Sequence, residues 1–157
     1  MKSCLPRILA GVALASMVAP TSWALANIAI ENVQSLSFGS FVAGNSGSVT
    51  VSTTGNRNAV GGVVLIPSSL GTAAQFTVSG EPNMTYTIQL PGNDFVSLTG
   101  PGIDMFVNNF TSTPSGVGGQ LGAGGSQALS VGGTLNVGSD QAPGSYSGTF
   151  SVIVDYN

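Results

Sequence analysis

Glycine and proline interrupt this chain so often that long helices are excluded from most of its length. After residue 26, no stretch offers ten residues of helical periodicity without one of them, and both destabilise the interior of a helix. Between these breaks, apolar and polar residues alternate, as in SVTVST (48–53), QFTVSG (75–80), MTYTIQLP (84–91) and ALSVGGTLNV (128–137). Such period-two alternation is typical of half-buried strands. The sequence therefore predicts an all-β chain.

The number and length of the alternating runs favour a sandwich over a barrel. About eight to ten runs fit the strand template, with turn residues between them at intervals of about ten residues. A transmembrane barrel needs strands of about nine to eleven residues, whereas many runs here are as short as SVTVST. Phe38, Phe76, Tyr86 and Phe150 occupy alternating positions, so we predict that they lie in the core.

The first 26 residues have the pattern of a secretory signal peptide. Lys2 and Arg7 form a basic region, residues 8–19 form a short apolar run, and small residues follow at Ala24 and Ala26. A membrane-spanning helix needs about 20 apolar residues, and this run is shorter. We predict cleavage after Ala26, with Ala24 as the rival site, and export to the periplasm, the cell surface or the medium. No integral membrane span is expected after cleavage.

The remaining residues, 27–157, are predicted to form a single domain. Removal of Lys2 and Arg7 leaves one basic residue, Arg57, against six acidic ones, a net charge of −5. Nucleic-acid binding is therefore not expected, because neutralising phosphates requires clustered Lys and Arg. The sole cysteine, Cys4, lies in the leader and the chain has no histidine, so the domain lacks the residues for a disulfide or a Cys/His metal site.

The same shortage of reactive side chains argues against an enzyme. General-base and nucleophilic catalysis depend on His, Lys, Cys or tuned carboxylates. The carboxylates lie at least ten residues apart in the sequence, at Glu31, Glu81, Asp94, Asp104, Asp140 and Asp155. A glycosidase-like pair assembled from distant strands is the remaining alternative. We therefore predict no catalytic, metal-binding or cofactor-binding residues and no cofactor.

One glycine-rich segment, GVGGQLGAGGSQ (116–127), superficially suggests a phosphate-binding loop. It lacks the Lys-Ser/Thr end of a P-loop, and no helical pattern follows it. We predict a mobile or tightly turned surface loop.

The end of the chain is an alternating run that stops almost at the last residue. From Tyr146 to Tyr156 every second residue is large and apolar except Gly148. A terminal strand with an uncovered edge invites pairing with another strand. Because Ile28 and Ile30 alternate in the same way, we predict that the terminal strand pairs with the amino-terminal segment of its own chain or of a neighbour.

Several motifs carry a resemblance to known proteins. LSFGSFVAGNSGSVTVSTTGNR, GGVVL, AAQFTVSG, YTIQLPG and LSVGGTLNVGSDQAPGSYSGTFSVIVDYN resemble a family of small secreted bacterial proteins known only as a domain of unknown function. This resemblance covers nearly all of residues 36–157. The Pro-Gly turn, the Tyr-x-Gly motif and the penultimate tyrosine at the end are also similar to subunits of chaperone-usher pili, including the spore-coat-U-like type.

The pilin resemblance implies an immunoglobulin-like antiparallel β-sandwich of Greek-key type that lacks one strand, which a neighbouring subunit supplies. It places a terminal strand beside the groove at Tyr146, Phe150, Val152, Val154 and Tyr156, with Ile28 and Ile30 in the donor. The expected partners are a second copy or a periplasmic chaperone, through strand addition. The chain departs from the pilin pattern because Asn32 interrupts the donor and no disulfide is available.

These observations lead to a functional hypothesis and one alternative. The hypothesis is an exported, non-enzymatic structural protein of the bacterial cell envelope, a pilin-like subunit assembled or closed by strand complementation. The alternative is a secreted binding module or adhesin whose loops, such as residues 116–127, hold a ligand.

Overall fold

The structure, a computed structural model, describes residues 24–157, and in that range every regular element is a β-strand. The prediction of an all-β fold is therefore confirmed. The strands are β1 (Ala29–Gln34), β2 (Phe41–Val42), β3 (Asn45–Val51), β4 (Arg57–Gly61), β5 (Val64–Leu65), β6 (Ala74–Ser79), β7 (Thr85–Gln89), β8 (Val96–Leu98), β9 (Met105–Thr113), β10 (Gly119–Gln120), β11 (Ser126–Ser139) and β12 (Ile153–Tyr156). Most of the predicted signal peptide, residues 1–26, lies outside the described residues.

No helix in residues 24–157 is long and apolar enough to cross a membrane.

The first sheet is organised around the long strand β11. Along one edge of β11, β6 pairs with its first half and β3 with its second half, while β9 pairs with the opposite edge. The neighbours β1, β4 and β8 extend the sheet from β6, β3 and β9 respectively. All these pairings are antiparallel.

The Gly132-Gly133 pair forms a bulge inside β11. The register toward β9 shifts between Gly132 and Thr134. A Cβ at Gly132 would lie 2.3 Å from the carbonyl oxygen of Val51, so only glycine allows β3 to approach this closely.

The second sheet contains β10, β7 and β12 in that order. The terminal strand β12 pairs with β7, with Val154 opposite Ile88 and Tyr156 opposite Tyr86. The strands β2 and β5 form a separate two-stranded ribbon that pairs with neither sheet.

Two clusters of buried side chains form the core. The inter-sheet cluster joins β6 and β11 of the first sheet to β7 and β12 of the second sheet and to the connection between β10 and β11. It comprises Ala74, Val78, Tyr86, Ile88, Leu121, Leu129, Val131 and Val154. The first-sheet cluster lies on the inner face of the curled first sheet and comprises Phe38, Val49, Val51, Val63, Val96, Met105, Val107, Leu135 and Val137. Two sheets packed across a shared core agree with the predicted β-sandwich. The immunoglobulin-like Greek-key arrangement stays a prediction.

Candidate functional site

A groove with a volume of about 1040 Å³ opens between two chain segments that belong to neither sheet. Its amino-side wall is formed by residues 35–43 and its carboxy-side wall by residues 141–150. The floor consists of apolar side chains, most of them from the first-sheet cluster: Phe76, Val96, Leu98, Met105, Val107, Phe110 and Leu135. The groove therefore gives direct access to the hydrophobic core.

The amino-side wall has two backbone N–H groups without a partner in the described part of the chain. Ser37 exchanges both of its backbone hydrogen bonds with Thr72, each at 2.8 Å. In an extended chain, successive residues direct their backbone groups to opposite edges. The N–H groups of Leu36 and Phe38 therefore point away from Thr72, and neither donates to another group within residues 24–157.

Arg57 holds this wall in place. Its guanidinium donates to the carbonyl oxygens of Phe38 (2.9 Å), Ser40 (3.0 Å) and Ile66 (2.9 Å). The stem of the same side chain packs on Gly71, where a Cβ would lie 2.6 Å from the Arg57 Cγ. Hydrogen bonds from a charged donor are stronger than neutral ones, so Arg57 clamps the wall to the loop that follows β5.

The carboxy-side wall mirrors the first. Ser147 exchanges both backbone hydrogen bonds with Thr99, at 2.9 and 3.0 Å, so the backbone groups of Tyr146 and Gly148 point to the opposite edge. From Gly148 to Val152 the backbone makes no hydrogen bond to the described part of the chain. This wall thus offers a second row of unpaired backbone groups.

Gly148 breaks the apolar alternation of the carboxy-terminal run because the backbone passes too close to β8 for a side chain. A Cβ at Gly148 would lie 2.2 Å from the carbonyl oxygen of Ser97, far inside van der Waals contact. The glycine therefore lets this wall pass directly over β8 beside the floor of the groove.

The chemistry of the groove suits an extended, apolar peptide. The lining residues include no Asp, Glu, Lys, Arg or His, so nothing in the groove would neutralise a charged occupant. An added strand needs backbone partners at a free edge and pockets for alternate side chains. The unpaired backbone groups of the two walls are candidate partners for such a strand, and the apolar floor is a candidate for the pockets.

The residues predicted to pair at the chain ends are brought near one another, but not as a ladder. Within one chain, β1 pairs with β6, with Ile30 opposite Val78, and β12 pairs with β7. The intramolecular form of the predicted pairing is therefore wrong, because β6 offers the amino-terminal segment a ladder of its own. Pairing between two chains stays a prediction.

Side chains of these residues nevertheless meet in the core. All but one belong to the inter-sheet cluster or pack against it: Ile28, Ile30, Phe150, Val152, Val154 and Tyr156. Tyr146 packs instead against the first-sheet cluster, and its hydroxyl donates to the Ala142 carbonyl at 2.8 Å. The predicted terminal strand is also shorter than its alternation indicates, since β12 begins only at Ile153.

A polar contact joins the two ends of the described chain. The hydroxyl of Tyr156 donates to the Ala26 carbonyl at 2.8 Å and accepts the backbone N–H of Glu81 at 2.6 Å. The carboxylate of Glu81 in turn accepts the backbone N–H of Ala26 at 3.2 Å. The penultimate tyrosine therefore fastens the amino-terminal segment through its side chain.

The glycine-rich segment 116–127, predicted as a mobile or tightly turned surface loop, is tightly turned, with Gly125 donating its backbone N–H to the Gly122 carbonyl at 2.9 Å, and part of it packs on the core. It contains β10, and Leu121 is 1% exposed. The Tyr86 hydroxyl beneath it donates to Gln127 Oε1 at 2.7 Å, and burial raises the pKa of the Tyr86 phenol.

The carboxylates do not form a metal site. Within residues 24–157, no group of three or more His, Cys, Asp or Glu side chains is arranged to hold a metal ion.

The chain is thus an all-β domain whose core is open to the groove along one side. The chain belongs to a family described as a domain of unknown function, DUF4402, whose family model matches residues 28–156. The family resemblance seen in the sequence is thereby confirmed. No curated protein matches the chain, and no solved structure matches it.

Sequence reasoning missed most of the groove. Most of the amino-side wall and Arg57 lie within the family motif LSFGSFVAGNSGSVTVSTTGNR, but the motif does not reveal their contacts, which appear only when β2, β5 and the β8–β9 pair are placed in space. One signal was present: Arg57 is the single basic residue after the predicted leader, and a lone cation in such a chain is a candidate for a buried structural contact.

Proposed function

We propose that this chain is an exported structural subunit of the bacterial cell envelope, pilin-like, whose groove accepts an extended strand from a second copy. The groove carries the proposal, because it combines an apolar floor with unpaired backbone groups on both walls. The leader pattern and the pilin-like ending of the sequence agree with it.

The second copy's amino-terminal segment, residues 27–33, is the proposed donor. In the isolated chain this segment lies mostly in β1, at the edge of the first sheet, where it forms ladder hydrogen bonds only with β6. In the groove the same segment would have backbone partners on both of its edges. Each hydrogen bond contributes about 0.5–1.5 kcal/mol net, so the exchange is favourable where the bonds formed on the two walls outnumber the ladder bonds lost to β6.

The side chains of the donor also suit the floor of the groove. Ile28 and Ile30 lie on one face of the segment, since alternate residues of a strand share a face. Full burial of an isoleucine side chain contributes about 1.5–3 kcal/mol, and because Ile28 and Ile30 are already partly buried against the inter-sheet cluster, the exchange would add only the remaining part of that value. The intervening Ala29 and the following Glu31 are exposed in β1 and would face solvent above the groove.

The experiment uses the chain from Leu25 to Asn157, which includes both predicted cleavage products. A fluorescent peptide of residues 25–34, LANIAIENVQ, is titrated with this protein, and a control peptide carries aspartate in place of both isoleucines. We expect saturable binding of the native peptide alone, and concentration-dependent oligomers in size-exclusion chromatography with light scattering.

Two groove variants and one matched control locate the binding. Leu98→Asp places a charge on the floor, and Ser145→Trp obstructs the carboxy-side wall at an exposed position. Leu70→Asp makes the same substitution at an exposed leucine outside the groove. We expect both groove variants to lose peptide binding while Leu70→Asp retains it. Equal binding of the two peptides, together with a strictly monomeric native protein, would refute the proposal.

A further inference from the structure

The outer face of the first sheet lies on the side opposite the first-sheet cluster. Its strands present no charged side chain there, and the Asp94 carboxylate lies beside it, bonded to Asn108. The outer face crosses β8, β9, β11, β3 and β4 in that order. Alternation sends Val96, Val107 and Leu135 into the core, so their neighbours point outward. The outward residues are Phe95, Ser97, Phe106, Asn108, Thr134, Asn136, Thr50, Ser48, Asn58 and Val60.

Strand register places these side chains in rows across the sheet. Thr134 lies opposite both Thr50 and Asn108, and Thr50 lies opposite Asn58. In the neighbouring row, Ser97 lies opposite Phe106. Adjacent strands are about 4.8 Å apart, so five strands span roughly 19 Å. The outer face is thus long enough for a chain of several sugar units.

Two phenylalanine rings stand out on this face. Phe95 is 86% exposed and Phe106 is 42% exposed, although phenylalanine is among the residues most often buried. The Phe95 ring rests beside Gly92, where a Cβ would lie 3.2 Å from it. By extension of the β8–β9 register, Phe95 is diagonal to Phe106, which places two rings at one end of the outer face.

The polar groups next to the rings are held in fixed orientations. The side-chain oxygen of Asn108 accepts the backbone N–H of Asp94 at 2.9 Å, and its side-chain nitrogen donates to the Asp94 carboxylate at 3.0 Å. The hydroxyls of Thr50 and Thr134 share a hydrogen bond of 2.9 Å. Side chains already ordered lose little further entropy when a ligand binds.

The composition of the outer face selects the class of ligand. None of its ten outward side chains is charged, which disfavours phosphates, nucleic acids and anionic lipids. Phenyl rings can stack on the C–H face of a sugar ring, and amides and hydroxyls can exchange hydrogen bonds with its hydroxyl rim. A neutral saccharide fits both features.

We propose that the outer face binds a neutral polysaccharide, with Phe95 and Phe106 stacking on sugar rings and Asn108, Asn136 and Thr134 bonding their hydroxyls. This proposal is independent of strand exchange, because the groove is lined by the inward side chains Val96 and Val107 of the same strands.

The test uses the chain from Leu25 to Asn157 and three soluble neutral hexasaccharides: β-1,4-linked glucose, α-1,4-linked glucose and β-1,4-linked N-acetylglucosamine. Binding is measured by calorimetry and by chemical-shift changes. We expect at least one of them to bind, with shifts concentrated on β8, β9 and β11. Phe95→Ala with Phe106→Ala should weaken that binding at least tenfold, and Asn136→Ala several-fold.

Val117→Ala is the matched control, since Val117 is 84% exposed and lies outside the outer face. It should bind as the native protein does, and the phenylalanine variants should keep the native melting temperature. Failure of all three saccharides to bind, or unchanged binding by the phenylalanine double variant, would overturn the proposal. Native dimers that dissociate on the double substitution without any saccharide binding would instead show that a second copy covers this face. Binding of the amino-terminal peptide in the groove is measured on the same variants. Because the phenylalanine substitutions lie outside the groove, that measurement tests strand exchange separately from saccharide binding.

Discussion

Replacing Arg57 by methionine should destabilise the amino-side wall of the groove while preserving the packing of the side-chain stem. The guanidinium donates to three backbone carbonyl oxygens, those of Phe38, Ser40 and Ile66. A hydrogen bond to a charged group contributes about 1.5–3 kcal/mol, and a half-exposed position lowers that value through solvent screening. We expect the free energy of unfolding to fall by about 2–4 kcal/mol.

Thermal unfolding followed by circular dichroism measures this loss. In a domain of this size, 1 kcal/mol corresponds to roughly 3–5 °C in Tm, so Arg57→Met should lower Tm by about 6–20 °C. Arg57→Lys is the control, because it keeps the charge but cannot reach three carbonyls with a planar fork of donors. Its Tm should lie between that of the native protein and that of Arg57→Met. Hydrogen exchange should accelerate in parallel at Ser37 and Ser40, whose backbone N–H groups donate to the Thr72 carbonyl and the Ser69 hydroxyl.

The result that would refute this reasoning is an Arg57→Met protein with native Tm and native exchange at the wall. A strong dependence of the native Tm on salt would also contradict it. The guanidinium binds carbonyl dipoles rather than a carboxylate, and such contacts respond less to screening than an exposed ion pair does.

Three further predictions concern local features of the chain. Gly148→Ala should cost about 1–3 kcal/mol in urea denaturation because its Cβ would strike a carbonyl oxygen of β8, whereas Gly124→Ala, which meets nothing within 4 Å, should be nearly neutral; equal costs would contradict the contact. Burial raises the pKa of Tyr86 above its usual value of 10.0, so above pH 10 the unfolded chain loses this proton first and the free energy of unfolding should fall with rising pH. In Tyr86→Phe the urea midpoint should fall less steeply above pH 10. An unchanged slope would show that Tyr86 does not cause the fall. Amino-terminal sequencing of exported protein should begin at Asn27; a start at Leu25 would move the site, and an intact leader would remove the case for export.

Local sequence pattern was sufficient for the strands and for the core. The alternation in β3 predicts that Val49 and Val51 are buried, and both are 0% exposed. Phe38 and Tyr86 are likewise buried as predicted, and Phe76 and Phe150 pack at the edge of the core. Period-two alternation reports which face a side chain takes, which is a local property of the strand.

Backbone pairing could not be predicted in the same way, because alternation does not say which strand lies alongside. The run from Tyr146 to Tyr156 alternates throughout, yet only its last part forms a ladder. The residues before Ile153 turn their apolar side chains inward while their backbone stays largely unpaired. The groove exists because of this difference, so its walls could be found only from the three-dimensional arrangement.

The contact between Tyr156 and Ala26 makes a circular permutation of the chain feasible. Since both ends of the described chain meet there, a short glycine linker should join them, and new termini fit at Gly124, where the surface is open. In such a circular permutant, β1 becomes an internal strand tethered on both sides. The permuted protein should fold and still bind a free amino-terminal peptide in its groove. It should no longer form chains of subunits, because no copy has a free amino-terminal segment to insert into the groove of another.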